Sequence, residues 1–241
     1  MATYFESNVG KAILLTDSAH SVELGRLAAT EALSQIKRFQ PSLALAFISP
    51  ELEIDRVTEG LIDVLGDCPL IGTSTAGEIA GGYIRRGVVV AVLASPHLSA
   101  RVGMGNGVGQ DFQSAVNQAL SKAGISQYFN YNHPQHQMLH MSAAGTPWIS
   151  PVLLIVFSPG STKSQFSLSH DIHSALRKSS ANRIPIFGGS SGDYFQYDSN
   201  YQIVNNRVSS DAIALAFIET EILFGLGMSH GFFPTKKRAL V

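Results

Sequence analysis

Two short loops combine glycine with hydroxyl side chains, and each of them carries a carboxylate near its end. Both follow an apolar run of strand length, at residues 69–71 and 185–187. Backbone amides and hydroxyls at the ends of buried strands suit a small polar ligand, and open α/β sheets bind ligands at such ends. The alternative is a pair of tight turns that need glycine for their backbone angles. The residues predicted to bind a ligand are Thr73, Ser74, Thr75, Gly77, Glu78, Gly189, Ser190, Ser191 and Asp193.

Ser190 also lies in a G-x-S-x-G sequence, residues 188–192, which is the pattern of a hydrolase nucleophile elbow. Acidic residues and His230 follow it in the order that hydrolases use. The elbow needs a sharp turn from a strand into a helix, so that the serine is exposed at the turn. No helical period follows Ser190. A serine hydrolase is therefore an alternative prediction, and a non-enzymatic function is preferred.

The histidines are candidates for a metal or haem. His133, His136 and His140 are closely spaced, and three imidazoles can ligate zinc, copper or haem iron. They lie in a polar stretch, residues 125–150, without apolar periodicity, which favours a solvated loop. No metal site or cofactor is firmly predicted. If haem binds, His230 is the preferred axial ligand because it follows the last predicted strand, and His140 is the reserve.

The chain contains similar segments twice, in the same order, with an offset that grows from about 110 to about 124 residues. The sequence therefore predicts one domain over residues 1–241, made of two pseudo-repeats at about 10–110 and 111–230. Residues 43–50 return as 153–159, residues 69–74 as 185–190, residues 88–93 as 212–217, and residues 102–105 as 226–229.

Each repeat is predicted to be a β-α-β-α-β-β unit, because apolar runs of strand length alternate with segments of helical period. The fold class is α/β, with mixed sheets covered by helices. Either the sheet is continuous, or two sheets pack face to face in a layered αββα sandwich. One helix is predicted to begin at Ser49-Pro50, and residues 87–94 and 98–104 are predicted to pair as an antiparallel hairpin. A second hairpin is predicted to turn at Asn205-Asn206.

The amino-acid composition excludes some classes of function. Charged residues make up 15% of the chain and the formal net charge is −1, so the basic stripe of a nucleic-acid binder is missing. Cys68 is the sole cysteine, which excludes an intramolecular disulfide and suits a reducing compartment. No apolar run reaches membrane-spanning length. These features predict a cytoplasmic protein without membrane insertion.

Residues 71–79 followed by Gly82, and residues 231–234, resemble the amino-terminal domain of the FIST (F-box and intracellular signal transduction) proteins. This resemblance implies a cytoplasmic sensory domain for a small, amino-acid-like ligand. The implied partners are a histidine kinase, a diguanylate cyclase or a chemotaxis component, and one branch of the family implies a haem-based nitric oxide sensor. The family's carboxy-terminal domain is expected to be absent from this chain.

Overall fold

The computed structural model describes residues 8–15, 21–79, 83–84, 86–125, 152–159, 169–179, 184–194, 200–222 and 224. The helices are α1 (Ser21–Ser34), α2 (Ile54–Leu65), α3 (Phe112–Lys122) and α4 (Ser169–Ser179). The strands of the first half are β1 (Asn8–Leu15), β2 (Pro41–Ile48), β3 (Leu70–Ser74), β4 (Glu78–Ile79), β5 (Tyr83–Ile84) and β6 (Gly87–Ala94). Those of the second half are β7 (Leu98–Asn106), β8 (Val152–Pro159), β9 (Ile186–Ser191), β10 (Gln202–Val204), β11 (Arg207–Ser209) and β12 (Ala212–Thr220).

The longer strands form two mixed sheets. The first sheet has the order β1-β6-β2-β3-β10-β11, and the second has the order β7-β12-β8-β9. The parallel pairs are β2 with β3 and β8 with β9, and the other pairs are antiparallel. The predicted α/β class with mixed sheets is therefore confirmed.

Three apolar clusters show how the layers stack. One lies between the first sheet and helices α1 and α2, and a second lies between the second sheet and helices α3 and α4. The third joins the two sheets and includes Leu43 and Ile71 from the first and Phe157 and Ala214 from the second. A sheet with apolar side chains on both faces must be covered on both. The layers are therefore helix, sheet, sheet, helix, which is the αββα alternative.

The structure has two halves, residues 8–94 and 98–220, and they share one strand arrangement; β7 belongs to the second half, although it lies within the first predicted pseudo-repeat. The order β1-β6-β2-β3 in the first sheet matches β7-β12-β8-β9 in the second, and each neighbouring pair runs in the same relative direction. That common order is what two pseudo-repeats would produce, and the duplication itself stays a prediction. The β10–β11 hairpin belongs to the second half in sequence but pairs with β3 of the first sheet.

Two predictions about local structure are wrong. Strands β6 and β7 do not pair with each other, because β6 lies between β1 and β2 while β7 pairs with β12 in the other sheet. The segment between them therefore crosses from one sheet to the other. Helix α2 begins at Ile54 rather than at Ser49-Pro50. Ser49 lies in a turn, in which its carbonyl accepts a hydrogen bond from the amide of Leu52 at 3.1 Å.

The hairpin that turns at Asn205-Asn206 is confirmed as β10 and β11. Residues 126–150 of the predicted histidine-rich loop lie outside the described residues. Within the part of the chain that is described, no helix is long and apolar enough to cross a membrane.

Candidate functional site

The two glycine-hydroxyl loops meet at the carboxyl ends of β3 and β9. The amide of Gly192 donates to the carbonyl of Ser74 at 2.9 Å, and the hydroxyl of Ser74 donates to the carbonyl of Gly192 at 2.8 Å. The sequence predicts one site in each half. The structure instead places the two loops side by side, as a single junction between the two sheets.

A buried network of polar side chains lies at this junction. The hydroxyl of Thr73 donates to Ser191 Oγ at 2.7 Å, and Gln202 Nε2 donates to the same oxygen at 2.8 Å. Gln202 also donates to Asn200 Oδ1 at 3.0 Å, and its own Oε1 accepts from the amide of Ala212 at 3.0 Å. Because buried polar atoms must be paired, these bonds fix the two strand ends relative to each other.

Ser74 joins the junction to the β10–β11 hairpin. Its side-chain oxygen accepts a hydrogen bond from the amide of Tyr201 at 2.8 Å, and its own amide donates to the carbonyl of Tyr201 at 2.9 Å. Thr73, Ser74 and Ser191 are all buried. Their hydroxyls serve contacts within the protein, so a ligand that bound to them directly would have to replace these bonds.

Glu78 differs from the other polar groups of the junction. It opens β4, its side chain is only 2% exposed, and its Oε1 accepts a hydrogen bond from the hydroxyl of Thr75. Its second oxygen, Oε2, is buried and has no hydrogen-bond partner among the described residues. A buried carboxylate oxygen without a hydrogen bond of good geometry is costly, because it has lost its contact with water. The backbone amides of Glu78 and Gly87 favour the charged form of this group, but neither of them makes a geometrically good hydrogen bond to Oε2.

The surroundings of Glu78 raise the pKa of its carboxyl group. Burial is the main cause, since it disfavours the charged form, and the negative charge of Glu51 acts in the same direction. The hydroxyl of Thr75 and the backbone amides of Glu78 and Gly87 lower the pKa, without reversing the shift. Glu78 therefore holds its proton to a higher pH than an ordinary glutamate does.

Gln202 is the counterpart of Glu78 in the second half. In each half a hairpin comes before the last strand: β4–β5 before β6, and β10–β11 before β12. Glu78 is the first residue of β4, and Gln202 is the first residue of β10. Each is buried and is hydrogen-bonded to a hydroxyl of the strand-end loop of its own half, Thr75 or Ser191. The difference is that both polar atoms of Gln202 are paired, whereas Glu78 keeps an unpaired oxygen.

The other predicted residues occupy different surroundings. Gly77 has φ +125°, a backbone conformation that favours glycine, so its role in the turn is conformational. Gly189 and Ser190 lie on the exposed stretch of β9, whereas Asp193 is buried. Ser190 is inside the strand, beside Ser158 of β8, rather than at a turn from a strand into a helix. The position of Ser190 is therefore not that of a nucleophile elbow.

The two haem candidates, His140 and His230, lie outside the described residues. Among the residues that are described, no three His, Cys, Asp or Glu side chains come together as a metal site.

Sequence reasoning missed four members of the junction: Ser49, Tyr194, Asn200 and Gln202. Ser49 Oγ and the hydroxyl of Tyr194 are 3.2 Å apart, which adds a contact between the two halves. Gln202 stands at the start of a hairpin that the sequence does predict. Nothing in the local pattern shows that this hairpin pairs with β3, so its nearness to Thr73 and Ser191 could not be foreseen.

Comparison of the chain with models of known protein families gives a match. The model of the FIST N domain matches residues 42–241. No curated protein sequence matches the chain.

Two solved structures of cyanuric acid hydrolases are weakly similar. One, from A. caulinodans, is 13% identical with a TM-score of 0.34, and the match covers 87% of this chain and 70% of that one. The other, described as an evolutionary innovation by structural concatenation, is 8% identical with a TM-score of 0.40, covering 91% and 70%. Similarities this low carry no argument about the activity of the chain.

Proposed function

This chain belongs to the FIST N domain family of signal-transduction sensors, and we propose that it senses a small, amino-acid-like ligand at the junction of β3 and β9. The observation that carries this proposal is the buried Oε2 of Glu78, which has no partner among the described residues. A ligand that donates a hydrogen bond to this oxygen would remove the cost of leaving it unpaired.

An ammonium group is the ligand chemistry that best suits Glu78. A positive charge within hydrogen-bonding distance favours the ionised form of a carboxyl group and opposes the effect of burial on its pKa. Binding of an amine would therefore lower the raised pKa of Glu78 and release a proton. The short loops that contain Thr73, Ser74, Ser190, Ser191 and Asp193 would surround the rest of the ligand.

The junction also offers a route from binding to signalling. Thr73 and Ser74 belong to the first sheet. They contact Ser191, the last residue of β9 in the second sheet, and Gly192, which follows it. A ligand that binds one arrangement of these loops more tightly than another shifts the balance between the two arrangements. We propose that this shift is passed in the cytoplasm to a histidine kinase, a diguanylate cyclase or a chemotaxis component, the partners that the family resemblance implies.

Titration calorimetry with the common amino acids tests the proposal. The wild-type chain should bind one or more of them, and Glu78→Ala should weaken binding by about 1.5–3 kcal/mol through loss of a hydrogen bond to a charged group. Glu53→Ala is the matched control, because Glu53 is an exposed carboxylate at the start of α2 that makes no capping hydrogen bond. Absence of heat with every amino acid, or equal affinities for wild type and Glu78→Ala, would contradict the proposal.

A further inference from the structure

The side chain of Gln202 is surrounded by three hydrogen-bonding groups of the chain itself. Its Nε2 donates to Ser191 Oγ at 2.8 Å and to Asn200 Oδ1 at 3.0 Å, and its Oε1 accepts from the amide of Ala212 at 3.0 Å. Gln202 and Asn200 are both buried. A buried side-chain amide needs such partners, because it has lost its contact with water. The surroundings of Gln202 are therefore complete without a ligand.

Two of these three groups have a matching group beside Glu78. Thr75 matches Ser191, because each follows the last residue of a segment that the two halves share. The hydroxyl of Thr75 donates to Glu78 Oε1. Gly87 matches Ala212, because each is the first residue of the last strand of its half. The amide of Gly87 favours the charged form of Glu78, so it too faces the side chain that its counterpart faces.

The third group differs between the two halves. Asn200 lies two residues before Gln202. The residue two before Glu78 is Ala76, which is exposed and whose side chain has no hydrogen-bonding group. Glu78 Oε2 accordingly has no partner among the described residues. What Asn200 supplies to Gln202 is therefore not supplied to Glu78 by the residue at the matching position.

The chemistry of the two side chains agrees with this difference. The Nε2 of Gln202 is a donor, and the side-chain oxygen of Asn200 is its acceptor. An ionised Glu78 has acceptor oxygens only, so the group that completes its surroundings must donate, as an ammonium group does. The neutral side chain is thus satisfied by the chain itself, and the acidic side chain keeps the capacity to bind a donor from outside.

We propose that the second half carries a closed copy of the ligand site at Glu78, with the side chain of Asn200 in the place of the ligand. This inference rests on the function proposed above, since it takes Glu78 as the residue that binds the ligand. It assigns one ligand to each chain, although the two loops have similar sequences. Asn200 and Gln202 keep the second position closed, and Ala76 and Glu78 leave the first position open.

The stoichiometry of binding tests this proposal, in calorimetric titrations of the full chain with each of the common L-amino acids as the probe. The wild type should bind one amino acid per chain. The double variant Asn200→Ala with Gln202→Glu gives the second half the residue types that stand at positions 76 and 78. It should bind two molecules of the same amino acid, because the place of the Asn200 side chain is vacated and a second buried acid lies beside it.

Asn206→Ala is the matched control, because it removes an asparagine from the exposed turn of the same hairpin, and it should bind one amino acid as the wild type does. Far-UV circular dichroism checks that each variant is folded. Two amino acids per wild-type chain, or a folded double variant that binds only one, would overturn this inference and leave the proposed function standing. A wild type that binds no amino acid would overturn both. Where the double variant does not fold, the wild-type stoichiometry alone decides between one site and two.

Discussion

Strands β3 and β9 have similar sequences and equivalent places in their sheets, and yet their surroundings differ. Each is the parallel neighbour of a central strand, and each leads into a loop of glycine and hydroxyl residues. All of β3 is buried, whereas β9 is exposed from Phe187 to Ser190. The difference arises at the outer edge, where β10 covers β3. Burial of a strand therefore depends on its neighbour as much as on its own residues.

The largest expected effect of this difference is on stability. Ile71→Ala should lower the free energy of unfolding by about 2–5 kcal/mol, because it leaves a cavity between the sheets. Phe187→Ala should lower it by less, about 1 kcal/mol, because 51% of this residue is exposed and only the buried part of the ring loses contacts. Urea unfolding of both variants at low protein concentration measures the two values. Equal losses at the two positions would contradict the contrast between β3 and β9.

This contrast also marks how far the sequence can be used for prediction. The order of strands and helices follows from apolar runs and helical periods, and the two loops are recognisable from their glycines and hydroxyls. Residues 69–71 and 185–187 have similar apolar sequences, and each of them predicts a buried strand. That expectation is wrong for β9, because burial there depends on whether a hairpin distant in sequence lies at its edge. Gln202 was not predicted as a member of the junction for the same reason, because its position there depends on the pairing of β10 with β3.

A smaller effect is expected at the bond that joins the two loops. Thr73→Val keeps the shape of the side chain but leaves Ser191 without this partner, which should cost about 1–3 kcal/mol of stability. In a double-mutant cycle with Ser191→Ala, the two changes should be coupled by about 0.5–3 kcal/mol, since they remove the same bond. Urea unfolding of the two single variants and the double variant gives the coupling. Strictly additive losses would show that the junction does not depend on this contact.

The smallest expected effect is on the pH dependence of stability, and it concerns Glu78 and its counterpart Gln202. Because the pKa of Glu78 is raised in the folded state, the unfolded chain loses this proton at a lower pH than the folded chain does. The contribution of Glu78 to stability is therefore greatest below the ordinary pKa of a glutamate, and it falls as the pH rises from there through the raised pKa. Each tenfold difference in acid dissociation constant between the two states corresponds to about 1.4 kcal/mol.

Urea unfolding across this pH range should show the decline in the wild type. Glu78→Gln introduces the residue type that stands at position 202. A glutamine side chain has no proton to lose in this pH range, so the decline should be reduced in this variant. An identical pH dependence in the wild type and in Glu78→Gln would show that Glu78 is not the group responsible.

If an amine binds beside the buried carboxyl group of Glu78, binding should release the proton of that group. Calorimetric titration of an amino acid that binds, in two buffers of different ionisation enthalpy, measures the protons exchanged. We expect protons to be released at acidic pH, where Glu78 is protonated before binding. This release should fade as the pH rises above the raised pKa of Glu78. Heats of binding that are the same in both buffers throughout this range, or a net uptake of protons, would show that no amine binds beside Glu78.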